Sequence, residues 1–234
     1  MPQQTRQKSP AEIRAAPGRP RKLTRERIID GAVQLLDEQG FDALSMRSLA
    51  LRLGINHATL YNYFDRIEDI EAQALESLMA RVPIPNADSP TPMRRQLLEH
   101  LQSLRETHLQ HPSVLHARIG SRPWQSLMRM QNRVLRVLEP HSRSLAEAAA
   151  GYGALVSLMA SSAERARRIG GDYVEIQRRA LLALPAGESE LLRRALTDRS
   201  IPGPRIDSLP EILNYMIDRL LPNIDRRQPD VEDK

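Results

Sequence analysis

Residues 44–64 read Leu-Ser-Met-Arg-Ser-Leu-Ala-Leu-Arg-Leu-Gly-Ile-Asn-His-Ala-Thr-Leu-Tyr-Asn-Tyr-Phe, an order that specifies two short helices joined by a tight turn. Ser45 is a candidate N-cap, because a serine hydroxyl accepts from the free amides of a helix's first turn. Leu49, Ala50 and Leu53 then fall on one face, and Gly54 ends the segment, glycine being the residue that reaches positive φ without a Cβ clash. Asn56 caps a second helix, expected to run from His57 through Tyr63. Small Ala50 lies where the two helices must cross, while Ile55, Leu60 and Tyr63 point inward. The combination is that of a helix-turn-helix.

Upstream, Ile28, Ile29, Ala32, Val33, Leu35 and Leu36 recur at helical spacing between a candidate cap, Thr24, and a candidate stop, Gly40. Downstream, Ile70, Ala74, Leu75, Leu78 and Met79 mark a fourth helix over residues 66–81. The run 82–92 holds four prolines and cannot be regular helix, so it is expected to form a surface connection. Further helices are expected over 93–110, 113–119, 124–138, 145–168 and 209–221, with shorter ones over 173–184 and 189–197. Aromatic residues make up 3% of the chain and strand-type alternation is hard to find. The predicted fold class is therefore all-α, with an N-terminal three-helix helix-turn-helix domain and a larger C-terminal helical domain; the resemblance described below implies DNA binding for the first and ligand binding and dimerisation for the second. The expected divisions are a flexible basic arm (1–22), the helix-turn-helix (23–69), the C-terminal domain (70–222) and a polar tail (223–234).

The net charge of +5 fits a polyanionic partner, though arginine carries almost all of it; lysine occurs only at positions 8, 22 and 234. The absence of cysteine excludes disulfides, thiolate metal sites and cysteine nucleophiles. No apolar run approaches the length of a membrane span, and the basic N-terminus is not followed by one, so a cytoplasmic protein is expected. No nucleophile elbow, phosphate loop, paired catalytic carboxylates or metal motif is recognisable, and neither an enzyme nor a cofactor is expected.

In a helix-turn-helix the second helix lies in the major groove, with its N-terminal and outward residues at base edges and phosphates. Those residues here are His57, Ala58, Thr59, Tyr61 and Asn62. Thr59 suits a phosphate or a thymine methyl, Asn62 an adenine, Tyr61 a phosphate oxygen, and Arg47, at the start of the preceding helix, a guanine. Residues 1–22 are polar, Pro-rich and basic. Arg19, Arg21, Lys22 and Arg25 suit the minor groove or phosphates, an inert solvated tail being the other reading.

The 44–64 segment, with its Thr-Leu-Tyr-x-x-Phe core, resembles the signature of the tetracycline-repressor (TetR) family, and the likeness extends over roughly residues 24–75. It implies base contacts from Arg47 and Thr59 and phosphate contacts from Tyr61 and Tyr63. Where the family usually has a lysine, three residues after Phe64, this chain has Ile67, leaving Arg66 as the neighbouring basic candidate. The resemblance further implies a homodimer on double-stranded operator DNA, repressing transcription until a small-molecule effector tilts the fourth helix and respaces the recognition helices. Control by a protein partner, or by none, is the alternative.

The C-terminal half carries a fainter resemblance. Gly120-Ser121-Arg122-Pro123 is similar to a turn in the ligand domain of the tetracycline-repressor branch, and residues 209–221 to its last dimer-forming helix. The branch's metal-binding histidine, two residues before that glycine, is replaced by Arg118, which disfavours a tetracycline–magnesium site. Candidate effector residues are His116, Arg118, Arg122, Trp124, Met128, Tyr152 and Met159; Trp124, Met128, Tyr152 and Met159 suit either a cavity lining or ordinary core. His100, His108, His111 and His116 cluster in sequence, but Pro112 interrupts them and no nearby acid completes a ligand motif, so no metal site is expected. Small residues over 146–154 suit either a dimer seam or an intramolecular packing face.

Overall fold

The computed structural model describes residues 23–117, 120–170, 173–198, 200 and 208–225. The predicted arm, residues 1–22, lies outside them. Ten α-helices are found among the described residues: α1 (Arg25–Gln39), α2 (Met46–Leu53), α3 (His57–Leu60), α4 (Ile67–Met79), α5 (Met93–Gln110), α6 (Arg122–Leu138), α7 (Leu145–Ile169), α8 (Tyr173–Ala183), α9 (Ala186–Thr197) and α10 (Leu209–Leu220). No helix among these residues is long and apolar enough to cross a membrane.

The caps form as local chemistry dictates. Thr24 accepts from the Arg27 amide, and Gly40, at φ +80°, closes α1. Ser45 and Ser48 form a reciprocal capping box at the start of α2. Gly54 takes the left-handed conformation, φ +67° and ψ +35°, with its amide on the carbonyls of Ala50 and Leu51. This turn re-aims the chain so that α3 crosses α2. Arg52 grips both carboxylate oxygens of Glu38 at 2.6 Å, tying α2 to the last turn of α1.

Two hydrophobic cores result. The first joins Ile28, Ile29, Ala32, Leu35 and Leu36 of α1 to Leu44, Leu49, Ala50, Leu60 and Phe64, and α4 closes it with Ile70 and Ala74. The second begins on the same helix, at Leu75, Leu78 and Met79, and gathers α5, α6, α7 and α10. One continuous helix thus has one end in each core. The expected boundary at 69/70 falls inside α4, and a rotation of that helix would be felt in both cores.

Four expectations are corrected. The predicted helix over 113–119 is instead a 3-10 turn, Pro112–His116, with residues 118 and 119 outside the described set. Pro112 lacks an amide proton and drives His111 out of helical geometry (φ −130°, ψ 73°), so α5 stops and only a tight turn restarts. The recognition helix ends at Leu60 rather than Tyr63; the chain tightens there, the amides of Asn62 and Tyr63 bonding three residues back to Thr59 and Leu60. The connection over 82–92 is not wholly superficial, since Val82 is buried and the Gln96 side chain fastens the loop through Asn86 and Thr91. The polar tail starts later than residue 223. Ile224 is 2% exposed in the second core, and Asp225 and Asp218 pair with Arg94 of α5.

Candidate functional site

The Asn56 side chain accepts from the Ala58 amide at 3.0 Å and starts α3. Leu60 (0% exposed) and Phe64 (4%) anchor the far end in the first core. With its inner side fixed, α3 presents His57 and Ala58 to solvent, Thr59 being half-buried, and the turn after it presents Tyr61 and Asn62. The rings of His57 and Tyr61 meet edge to face at 6.5 Å, one turn apart. Arg47, second residue of α2, and Arg66, the cap residue of α4, are both exposed. The fold therefore places Arg47 and the outward residues of α3 on the solvent side of one small domain, with side chains suited to phosphates and base edges.

Other candidates are placed differently. Tyr63 is half-buried and its hydroxyl donates to the Leu23 carbonyl at 2.9 Å. Ile67 packs against the first core, so the basic side chain at this corner is Arg66. Arg25 is exposed, its guanidinium 4.7 Å above the centre of the Phe64 ring. Lys22 lies outside the described residues.

The effector candidates separate. Tyr152 and Met159 of α7 are fully buried in the second core, whereas Trp124 and Met128 are half-buried on α6 and belong to neither core cluster. Arg122, at the first turn of α6, forms an ion pair with Asp69 in the first turn of α4. Two turns further along α4, Glu76 accepts from Ser126 at 2.7 Å and from Arg129 at 2.9 Å. An open cleft of about 310 Å³ lies along these bridges, lined by Asp69, Gln73, Glu76, Arg122, Gln125 and Arg129. Among the described candidates, only Arg122 lines it. Arg118 and the His116 side chain lie outside the described set.

A buried polar relay is absent from the sequence expectations. His100 of α5 is 0% exposed and lies between the Pro83 carbonyl (2.7 Å from Nδ1) and the Tyr152 hydroxyl (2.8 Å from Nε2). A carbonyl only accepts, so Nδ1 carries the proton and the tyrosine donates to Nε2. Burial lowers the His100 pKa below the ordinary imidazole value, against a smaller upward pull from Pro83, and raises that of Tyr152. His108, two turns further along α5, is also buried; desolvation lowers its pKa, and its Nδ1 has no hydrogen-bond partner among the described residues. A signal for both exists in the periodicity, because the two histidines share the α5 face that carries Leu97, Leu101 and Leu104. His111 lies apart, bonded to Asp37. Among the described residues no three His, Asp or Glu side chains are grouped to hold a metal ion.

Comparison with known proteins fits this arrangement. Residues 28–73 match the family profile of bacterial regulatory proteins, tetR family. An uncharacterised HTH-type transcriptional regulator of Mycobacterium tuberculosis is 46% identical over 52 residues, 22% of this chain and 24% of that protein. The class A tetracycline repressor of Escherichia coli is 30% identical over 120 residues, covering 50% and 55% of the two chains. These matches span from a quarter to about half of the relatives' lengths. The crystal structure of the Streptomyces coelicolor TetR-family protein ActR in complex with actinorhodin superposes with a TM-score of 0.59 at 26% identity, over 87% of this chain and 99% of that one. The sequence signature, the helix-turn-helix geometry and the likeness over nearly the whole helical body agree: residues 28–73 form a DNA-binding domain of the tetR-family type, on a chain similar in fold to a TetR-family protein over nearly its whole helical body.

Proposed function

We propose that the protein is a homodimeric, cytoplasmic repressor that binds a roughly palindromic operator and is released from it by a small-molecule effector. The observation that carries the DNA-binding half is the solvent-facing side of residues 57–62, with His57 and Ala58 exposed on α3 and Tyr61 and Asn62 on the turn after it, while Leu60 and Phe64 lock the other side. Two copies would set two recognition helices into successive major grooves, with half-sites about one helical turn apart or a multiple of it. The second copy fits the exposed face of α7, where Ala146, Ala149, Ala150, Gly153 and Ala154 face solvent. Gly151 is committed within the chain, since a Cβ there would lie 3.0 Å from Leu220 of α10.

Effector control is supported by the ActR complex with actinorhodin and by the polar bridges between α4 and α6. A ligand that shifts α6 would pull α4 through Arg122–Asp69 and Arg129–Glu76, and α4 enters the DNA-binding core. Ligand affinity must differ between the two positions of α4 for release to follow. The complete burial of Tyr152 and Met159 favours a second reading, in which the core is filled and a protein partner or nothing controls the regulator.

Selection of bound fragments from genomic DNA tests the DNA-binding half, and a two-half-site sequence is expected. Titration of that duplex complex with actinorhodin and a panel of other small molecules then separates the two modes of control. Release with a matching rise in melting temperature supports the effector, whereas no thermal shift from any compound supports the filled core.

A further inference from the structure

Where α4 meets α6, the two helices present the same spacing. Positions 69, 72, 73 and 76 of α4 stand beside positions 122, 125, 126 and 129 of α6, in each case residues i, i+3, i+4 and i+7 of one helix face. The acids, Asp69 and Glu76, lie on α4 and the guanidinium groups, Arg122 and Arg129, on α6. Their two ion pairs are rungs between the helices, seven residues apart on each, or about 10 Å. Between the rungs stand the carboxamides Gln73 and Gln125, while Ala72 and Ser126 are small. Short side chains set among long ones leave a hollow, the open cleft of about 310 Å³. That volume falls at the lower end of the range of small-molecule sites.

The chemistry of the lining defines what such a cleft takes. Two carboxylates balance two guanidinium groups, so neither a simple cation nor a simple anion is favoured. No aromatic residue lines it, and it opens to solvent, which suits a small hydrophilic ligand rather than a flat apolar one. Hydrogen-bonding capacity is left over. Arg129 donates through Nη2 to Glu76 and Ser126, and Glu76 accepts at Oε1, so that among the described residues the other nitrogens of Arg129 and Oε2 of Glu76 have no hydrogen-bond partner. The Gln73 and Gln125 side chains have none there either. An unsaturated carboxylate beside an unsaturated guanidinium matches an ammonium and a carboxylate carried on one carbon. Two carboxamides, each both donor and acceptor, match a third amide.

We propose that this cleft is a binding site for a free α-amino acid with an uncharged amide side chain. The ammonium sits on Glu76, the carboxylate on Arg129, and the side-chain amide between Gln73 and Gln125. The site lies at the surface between α4 and α6, apart from buried Tyr152 and Met159 of the second core. A ligand held by both helices fixes α4, which enters the DNA-binding core, against α6.

Isothermal titration calorimetry of the full-length chain with L-glutamine tests the site. Saturable binding is expected, weakened roughly tenfold or more for N-acetyl-L-glutamine, which lacks the cation, and for L-alanine, which lacks the amide. Ala72→Leu fills the hollow without removing a charge and lowers the affinity for L-glutamine about tenfold or more. The double variant Gln73→Ala, Gln125→Ala removes the preference for L-glutamine over L-alanine, a change in selectivity that a loss of folding does not produce. No heat with L-glutamine, equal binding of L-glutamine and either analogue by wild type, or undiminished binding by Ala72→Leu would overturn the proposal. The titration contains no DNA, so its failure leaves the DNA-binding reading standing, and failure of wild type to bind any duplex leaves this site standing.

Discussion

Asp37, in the last turn of α1, holds His111 across the junction between the two domains: Nδ1 of the histidine lies 2.6 Å from one carboxylate oxygen. The other oxygen accepts from Ser113 at 2.9 Å, so the two residues flanking Pro112 both reach one side chain of the DNA-binding domain. The carboxylate can only accept, hence Nδ1 donates. Together with the bridges from α6 to α4, this gives the C-terminal domain two separate polar grips on the helix-turn-helix.

Replacing Asp37 by Asn keeps the shape and removes the charge, leaving an amide that cannot accept at both positions. Stability is expected to fall by about 1–3 kcal/mol, the usual effect of breaking a part-buried hydrogen bond to a charged group. Urea denaturation measures it. Asp30→Asn, at an exposed position on the same helix, serves as control, and equal effects at the two positions would deny Asp37 a special role.

Gly54 joins α2 to α3 at φ +67°, and a Cβ added there would meet no atom within 4 Å beyond its chain neighbours. A substitution there meets backbone strain alone. Gly54→Ala is expected to cost about 1–2 kcal/mol, with Gly54→Asn milder because asparagine tolerates the left-handed region. Denaturation midpoints of the two variants check the order, and an alanine variant as stable as wild type would contradict the turn geometry.

Acid should loosen the C-terminal domain. Burial lowers the pKa of His100 and His108 in the folded state, so the unfolded chain takes up protons first as pH falls through about 6.5. Their contribution is fully present above that value and declines below it, and melting temperature should drop between pH 7 and pH 5.5. His108→Leu removes an unpartnered buried Nδ1 and should raise neutral-pH stability by about 1–3 kcal/mol while reducing the acid sensitivity. A flat pH profile in wild type would refute this assignment.

What is legible in the sequence is what adjacent residues decide. Thr24, Ser45 and Asn56 cap because their side chains reach amides two or three residues on, and Gly40 and Gly54 stop helices by backbone freedom alone. The exposed side of α3 follows from its buried side. Relationships across long stretches of chain are not readable there: Asp37 with His111, Tyr63 with Leu23, His100 with Tyr152. The effector candidates form one group in sequence, yet Trp124 of α6 is half-buried and Tyr152 of α7 is buried, and no single helix's periodicity encodes how two helices are set against each other. Ile224 is hidden in a polar stretch, where one apolar residue gives no period to follow.

The exposed side of residues 57–62 and the exposed Arg47 of α2 are proposed to read DNA. Anisotropy titrations of a selected operator duplex and an unrelated duplex of equal length, with wild type, Arg47→Ala and Asn62→Ala, test this most directly. The expected result is a clear preference of wild type for the operator, reduced by about 1–3 kcal/mol wherever the substitution removes a bidentate hydrogen bond to a base. Discrimination unchanged in both variants, or equal affinity of wild type for the two duplexes, would contradict it.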